Sequence, residues 1–402
     1  MTKLLEVEKA QTLVDQAADQ AARRSVAMAS EEAIGFVLAE SIRSDIDIPP
    51  YRKALMDGFA IGDEDATAGS VLQVVDEITA GSQPQTPIRK GESARIMTGA
   101  TIPLGANLVI KQEDTKILED GKQIELLTTA SSGANLMEAG FCAKQGETVL
   151  DAGHRISAQE IGFLHEIGAA HVEVIQPPSV AILATGNELV KSTEYPGLGQ
   201  IRNTNASLLK ALVQRDGGVA ELLEIAKDTS VQIEQQIQQG LLSDILILSG
   251  GVSVGVRDLV PSCLKSAGVS QVFHGVQLKP GKPLWFGIYM TTPQTKLVFG
   301  LPGNPMSNLV CYELFVRRAI ERIRGVSGAE TIEYRKLVAP FEHRSGRRTF
   351  HPSKLIGTDS VDLLPWKGSA DQRVMTKADS FCDLATGPRL LAAGEEVPVR
   401  RI

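Results

Sequence analysis

The stretch ILILSGGVSVG (245–255) decides the fold: a strand-like apolar run gives out into a turn punctuated by three glycines. Two other runs share that build. VAILA (180–184) passes into Thr185-Gly186-Asn187-Glu188, and the run 296–300 passes into LPGNP (301–305). Between and around them, helical spacing over Ala206 to Gln214, Val231 to Gln239, Asp258 to Lys265 and Pro305 to Arg324 alternates with strand-like runs at 219–226 and 271–278. Such alternation predicts a mostly parallel sheet covered by helices on both faces, which binds ligands beyond the carboxyl ends of its strands. If the strands are parallel, the three turns share one edge.

Working outward, Pro177-Pro178 reads as a linker, and the texture differs on either side of the 177–326 segment. Leu4, Leu5, Val7, Ala10, Leu13, Val14 and Ala17 predict an amphipathic helix over 3–22, and Ala33, Ile34, Val37 and Leu38 suggest a second after Ser30. Beyond Pro49-Pro50 come short β-like runs at 71–78, 93–99, 106–114 and 123–127. Ser157-Ala-Gln-Glu160 is a capping box for a helix through Ile161, Leu164 and Ile167 that Gly168 closes, and VEVI (172–175) follows as a strand. After Gly325, turn-rich segments such as EHRSGRRTF (342–350) and AAGEEVPVRR (392–401) indicate a small C-terminal β domain.

A chain of 402 residues, 43% of them apolar, is long enough for two to four domains. The net charge of −7 argues against general binding to nucleic acid or a membrane surface, so a cationic site must be local. Cys142, Cys263, Cys311 and Cys382 are widely separated and fit a reduced compartment. The N-terminus mixes charges with leucines, unlike a signal peptide or a membrane span, and the expected location is cytoplasmic. His154, His165, His171, His274, His343 and His351 show no zinc-ligand spacing.

The chemistry falls at the strand ends. Gly250, Gly251 and Gly303 let backbone amides approach an oxyanion, helix N-termini add roughly half a positive charge each, and Lys279 and Lys282 of KPGKP (279–283) add two full ones. Glu188, Asp228 and Asp258 supply the hard oxygen ligands that suit Mg²⁺ beside substrate phosphates. Plainer readings accompany each. A glycine turn can be a tight βα connection, the lysines can be solvated, Glu188 and Asp258 can complement a helix dipole, and Asp228 can be a helix cap.

Seven ordered segments carry a resemblance: PPYRKALMDGFAI (49–61), RIMTGATIPLGANLVIKQED (95–114), VAILATGNELV (180–190), GQIRNTN (199–205), SGGVSVGVRD (249–258), KPGKPLWFG (279–287) and FGLPGNPMSNLV (299–310). The series resembles the molybdopterin molybdenumtransferase family, relatives of the gephyrin E domain. The resemblance implies a multidomain α/β plus β protein. Its parts are a discontinuous helical linker domain (1–45 and 145–176), an inserted β domain (46–144), an α/β domain (177–326) and a C-terminal β barrel (327–402). It also implies a transferase of molybdenum cofactor biosynthesis that inserts molybdenum from molybdate into adenylylated molybdopterin, with Mg²⁺-dependent release of AMP. The expected assembly is a homodimer whose active site is shared between subunits, with a molybdopterin adenylyltransferase and molybdoenzymes as possible partners. Carried over by motif, the catalytic residues are Asp57, Thr98, Glu188, Asp258, Lys279 and Lys282. Cofactor-binding residues are Gly250, Gly251, Ser253, Gly255, Pro302, Gly303 and Ser307, and metal ligands are Glu188, Asp228 and Asp258. Apart from the resemblance, Asp57 before Gly58 is a turn former and Thr98-Gly99 a strand end.

Departures from the family pattern mark this chain. Met137 replaces an arginine, Phe141-Cys142 a glutamate-aspartate pair, and Asn187, Asn203 and Thr229 stand where aspartates are common. Arg52-Lys53 stand for Asp-Asn, and GSADQRVMTKADS (368–380) lacks a serine pair. These changes make the local field less negative, which favours an anion and weakens metal binding. Cys142 reads as a small buried hydrophobe or as a thiol for the metal or its dithiolene. The lost acids motivate an alternative, a non-catalytic paralogue that binds or carries the cofactor. A further alternative is a molybdopterin adenylyltransferase, whose T-G-G-T-G turn is replaced here by Ser249-Gly250-Gly251-Val252-Ser253.

Overall fold

A computed structural model describes residues 4–21, 23–252, 259–291, 294–326 and 332–402. Ser253, Gly255 and Asp258 of the expected site lie outside them. The chain forms two compact units, Met1–Val26 with Ile175–Ile402, and Ala27–Val174.

In the first unit, apolar runs form a six-stranded sheet. Val219–Leu222, Ser179–Ala184, Ile245–Ser249 and Thr295–Leu301 are parallel neighbours in that order. Ile245–Ser249 is buried along its whole length, as expected for a strand covered on both faces. Trp285–Met290 and Ser270–His274 complete the sheet as antiparallel strands at one edge. This edge corrects the sequence reading in one respect. The run 271–278 is not one strand, because Gly275 takes a positive φ of 97° and turns the chain before Leu278. A strand that the sequence reading did not single out opens at Trp285, which pairs with Gly300.

The helices Thr204–Arg215, Ser230–Gly240 and Val260–Ser266 flank the sheet, and a longer helical stretch runs from Pro305 to Ile323 with a π-helical turn at Tyr312–Val316. Helix Val7–Asp19 buries Val7, Ala10, Val14, Ala17 and Ala18 in the same core as Phe286, Phe299 and Phe315. Its polar side is set by forked pairs, Arg318 to Asp15 at 2.5 and 2.7 Å and Arg322 to Asp19 at 2.7 and 2.8 Å.

The C-terminal segment closes a five-stranded barrel. Arg348–Ile356 pairs with both Ser360–Leu363 and Ser380–Leu384, and the circuit runs through Glu333–Leu337 and Glu396–Arg401. Closure leaves no free edge among these strands. Phe350 and Phe381 join the core of the α/β sheet, so the barrel and the sheet share one apolar interior. Leu278–Lys279 adds to the barrel as a short parallel strand, with Lys279 opposite Thr349.

In the second unit a six-stranded mixed sheet runs Leu108–Lys111, Gly58–Ile61, Glu92–Ile96, Val71–Ile78, Gln123–Leu126 and Thr115–Leu118. Alternate residues serve opposite faces. Phe59, Ile61, Leu108 and Ile110 build one cluster, while Ala60, Val109, Ala94 and Ile96 build another. Gly58 is required where it stands, because a Cβ there would lie 1.9 Å from the Ile110 carbonyl oxygen. The capping box forms, with Ser157 N–H donating to Glu160 Oε2 at 2.7 Å ahead of helix Ile161–Glu166. No helix follows Ser30, however. Gly35, with φ of 84°, interrupts the apolar pattern, and Val37 and Leu38 form bridges to Arg155 and Val174 instead.

One buried charge anchors the barrel. Arg348 grips Asp383 at 2.6 and 2.7 Å, Arg400 adds a third bond at 3.0 Å, and both guanidinium groups lie about 5.5 Å from the centre of the Phe350 ring. Asp383→Ala removes the buried anion that the two guanidinium groups share and is expected to cost about 3–5 kcal/mol, measured as a loss of unfolding free energy in urea.

Candidate active site

Register places the strand-end turns together. Ala184 pairs with Ser249 and Ser249 with Leu301, so Thr185, Gly250 and Pro302 all begin their turns one residue beyond a single row. Cross-bonds continue past that row, from Thr185 N–H to the Ser249 carbonyl at 3.2 Å and from Gly250 N–H to the Leu301 carbonyl at 3.1 Å. Gly250 and Gly251 hold φ of 97° and 66°, and a Cβ on Gly251 would stand 2.7 Å from Val260 and 2.9 Å from Thr185 Oγ1. Only glycine fits both demands. A Cβ on Gly303 would approach the Gly250 Cα at 3.8 Å, so the second and third turns nearly touch.

Side chains that the sequence reading did not single out tie the turns. The Asn205 amide donates to Ser249 Oγ at 3.0 Å and to the Gly303 carbonyl at 2.8 Å. The Asn308 amide donates to the same Oγ at 3.0 Å and to the Pro302 carbonyl at 3.3 Å. The available signal was chemical: asparagine is a poor residue for a helix interior, yet Asn308 lies in helix Pro305–Cys311 and is completely buried. Ser307 beside it is buried too.

At the first turn, Asn187 N–H donates to Asp228 Oδ2 at 3.2 Å and Asp228 N–H donates to Asn187 Oδ1 at 3.1 Å. The helix-cap reading of Asp228 is overturned, because Thr229 is the N-cap of Ser230–Gly240 and accepts from Gln232 N–H at 3.5 Å. Glu188 curls back toward its own turn, with Oε2 2.6 Å from where a Cβ on Gly186 would stand. Both carboxylates are exposed, and hard carboxylate oxygens open to solvent are a donor type that suits Mg²⁺. Asn203 caps Thr204–Arg215 by accepting from Ala206 N–H at 3.2 Å. Cys142 is exposed rather than buried.

KPGKP enters from the antiparallel edge. Trp285, two residues beyond it, faces Gly300, the last residue but one of Thr295–Leu301, so Lys282 and Pro283 stand past the same end of the sheet. Gly281 rests on Cys311, whose thiol donates to its carbonyl at 3.5 Å, and burial pushes the Cys311 thiol well up. Lys282 is exposed, whereas Lys279 is half-buried against the barrel.

Asp57 and Thr98 belong to the second unit. Gly58 pairs with Ile96, which brings the residues flanking those strands face to face, and Asp57 Oδ1 accepts from the Thr98 hydroxyl and N–H, both at 2.7 Å. These two donors hold the exposed Asp57 carboxyl below its ordinary value.

Comparisons with known proteins agree with this construction. Residues 5–168 match the family described as the MoeA N-terminal region (domain I and II), and residues 181–322 match a probable molybdopterin binding domain. A molybdopterin molybdenumtransferase of Nostoc sp. is 35% identical over 299 residues, 73% of this chain and 68% of that protein. One from Staphylococcus aureus is 34% identical over 326 residues, 79% of this chain and 75% of that protein. The crystal structure of the molybdopterin biosynthesis moea protein from Pyrococcus horikosii superposes with a TM-score of 0.88 at 30% identity, covering 99% of each chain.

Two substitutions test the geometry. Ser249→Ala deprives both asparagine amides of a common acceptor and is expected to lower stability by about 1–3 kcal/mol, read from urea unfolding. Thr98→Val removes the hydroxyl donor but keeps the N–H, so the Asp57 carboxyl should titrate at higher pH than in the parent, followed by carboxyl-carbon NMR.

Proposed function

Because the chain belongs to the molybdopterin molybdenumtransferase family, a group of transferases in molybdenum cofactor biosynthesis, we propose that it inserts molybdenum from molybdate into adenylylated molybdopterin and releases AMP. The observation that carries the reading is the shared row Ala184–Ser249–Leu301, past which three amide-bearing turns and Lys282 gather on one end of the sheet. Molybdate is a tetrahedral dianion that needs N–H and cationic donors, and a phosphoanhydride needs its charge neutralised as it breaks.

In this reading the Gly251 amide and the Pro302-Gly303 turn cradle the anionic substrate, with Gly250 shaping the turn while its own N–H stays bonded to Leu301, and the ammonium groups of Lys279 and Lys282 balance its charge. The asparagine ties keep those amides fixed, so little reorganisation is needed as charge develops. Glu188 and Asp228, joined by Asp258 outside the described residues, would hold Mg²⁺, which supplies electrophilic stabilisation at the phosphates. Asp57, kept ionised by Thr98, acts as an acceptor that orients a proton-bearing substrate group. We assign Asp57 and Thr98 to the site of a second copy of the chain, so the active form is a homodimer in the cytoplasm.

Purified protein given adenylylated molybdopterin, molybdate and Mg²⁺ is expected to release AMP in step with molybdenum incorporation, and chelation of Mg²⁺ to stop it. Lys282→Ala should lower kcat by about 10²–10³. Mixing Asp57→Ala with Lys282→Ala protein should return part of the activity, since a mixed dimer holds one intact site. Tight binding of the adenylylated pterin without AMP formation would instead identify a cofactor carrier, a reading that the neutral Asn187 and Asn203 favour.

A further inference from the structure

The first turn is held by a lysine that the proposed chemistry leaves without a task. Lys227, half-buried, follows Ala226, which bridges Thr185 and accepts from Gly186 N–H at 3.1 Å, so the segment is docked on the end of Ser179–Ala184. The lysine backbone is also tied to the first turn of helix Ser230–Gly240, where Gln232 Oε1 accepts from Lys227 N–H at 2.9 Å. Its side chain thus starts from a fixed origin.

Where the ammonium ends is specific. Lys227 Nζ donates to the Leu189 carbonyl at 3.2 Å and to the Asn187 carbonyl at 3.5 Å, the residues on either side of Glu188. The alternate carbonyls go to another element, with Ile201 N–H donating to Glu188 at 2.8 Å and Asn203 N–H to Val190 at 2.9 Å. Four successive carbonyls, 187 to 190, are therefore shared between one ammonium and one short strand. A charged donor makes the stronger bond, and both of these bonds end on main-chain oxygens, so the lysine acts on Glu188 through the backbone. Gly186, with φ of 151°, supplies the matching space, since Glu188 Oε2 lies 2.6 Å from where a Cβ on that residue would stand. With Asn187, Asn203 and Thr229 neutral, affinity for a cation at this turn falls to the remaining carboxylates and to how firmly they are held in advance.

We propose that Lys227 is a positioning residue for the Glu188 carboxylate: its ammonium clamps the carbonyls on both sides of that residue, so that the carboxylate keeps one aim over Gly186 and is held ready for a divalent cation. The inference rests on the insertase reading for the identity of that cation, Mg²⁺.

Lys227→Met keeps the apolar stem and removes the ammonium donors, and Lys227→Arg returns a charged donor. Hydrogen exchange of the Ile201 and Asp228 amides, followed by NMR on the metal-free full chain, reads the clamp. Mn²⁺ titrated alone in place of Mg²⁺, with the free ion counted by EPR, reads its consequence. Lys227→Met should speed both exchanges and weaken Mn²⁺ binding, each about tenfold, and Lys227→Arg should recover most of both. In turnover the Mg²⁺ concentration for half-maximal rate should rise by a similar factor while KM for the adenylylated pterin stays unchanged, a split that general loosening of the fold does not give. Unchanged exchange in Lys227→Met overturns the proposal. So does unchanged or tighter Mn²⁺ binding beside faster exchange, the tighter case showing that the lysine acts as a repelling charge, and so does a parent protein that binds no Mn²⁺. AMP release is scored separately: a parent that binds Mn²⁺ and forms no AMP rejects the insertase, and the lysine's part is then decided by exchange and Mn²⁺ affinity.

Discussion

The Ser249 hydroxyl, accepting one amide proton from Asn205 and another from Asn308, is the contact on which the rim of strand-end turns depends. Parallel strands can be laid side by side by apolar burial alone, but burial is indifferent to the conformation of the turns beyond their ends. Here each asparagine that reaches the serine also holds a carbonyl of the Pro302-Gly303 turn. The last buried residue of a central strand thereby holds the Pro302-Gly303 turn from beneath.

Electrostatics at the first turn are gentler than the family pattern implies. The Asn187 side-chain oxygen accepts from the Asp228 backbone N–H, while the Asn187 backbone N–H donates to the Asp228 carboxylate. An aspartate at 187 would accept the same Asp228 N–H bond but add a second negative charge at this turn. Asn203 and Thr229 are likewise employed as helix caps, a role that needs an oxygen but no charge. The substitutions therefore preserve the local backbone while thinning the negative field.

How much of this was legible in sequence depends on whether the signal was local. VAILA, ILIL and the run before LPGNP each encode a buried strand by composition, and their glycines encode the turns, so the parallel sheet and its rim could be read directly. The meeting of Asp57 with Thr98 was not readable from period or composition, because it arises from the pairing of Gly58 with Ile96; only the family resemblance placed the two together. The supposed helix after Ser30 failed because its apolar spacing fits more than one structure and Gly35 breaks it. The strand Trp285–Met290 was hidden behind the conspicuous lysines and prolines before it. Asn205 and Asn308 were overlooked because their partners are distant in the chain, although a buried asparagine in a helix was itself a hint.

Leu278–Lys279 is drawn from the α/β segment of the sequence, yet its backbone is hydrogen-bonded as a strand of the barrel that begins some fifty residues later. Modularity therefore stops short at this point. A graft that exchanged the barrel for a relative's would carry away the partner strand of Lys279, and a fragment ending at the apparent domain border would strand that lysine without its rail. Recombination during descent should accordingly keep the lysine turn and the barrel as one inherited block, whatever happens to the segments outside it.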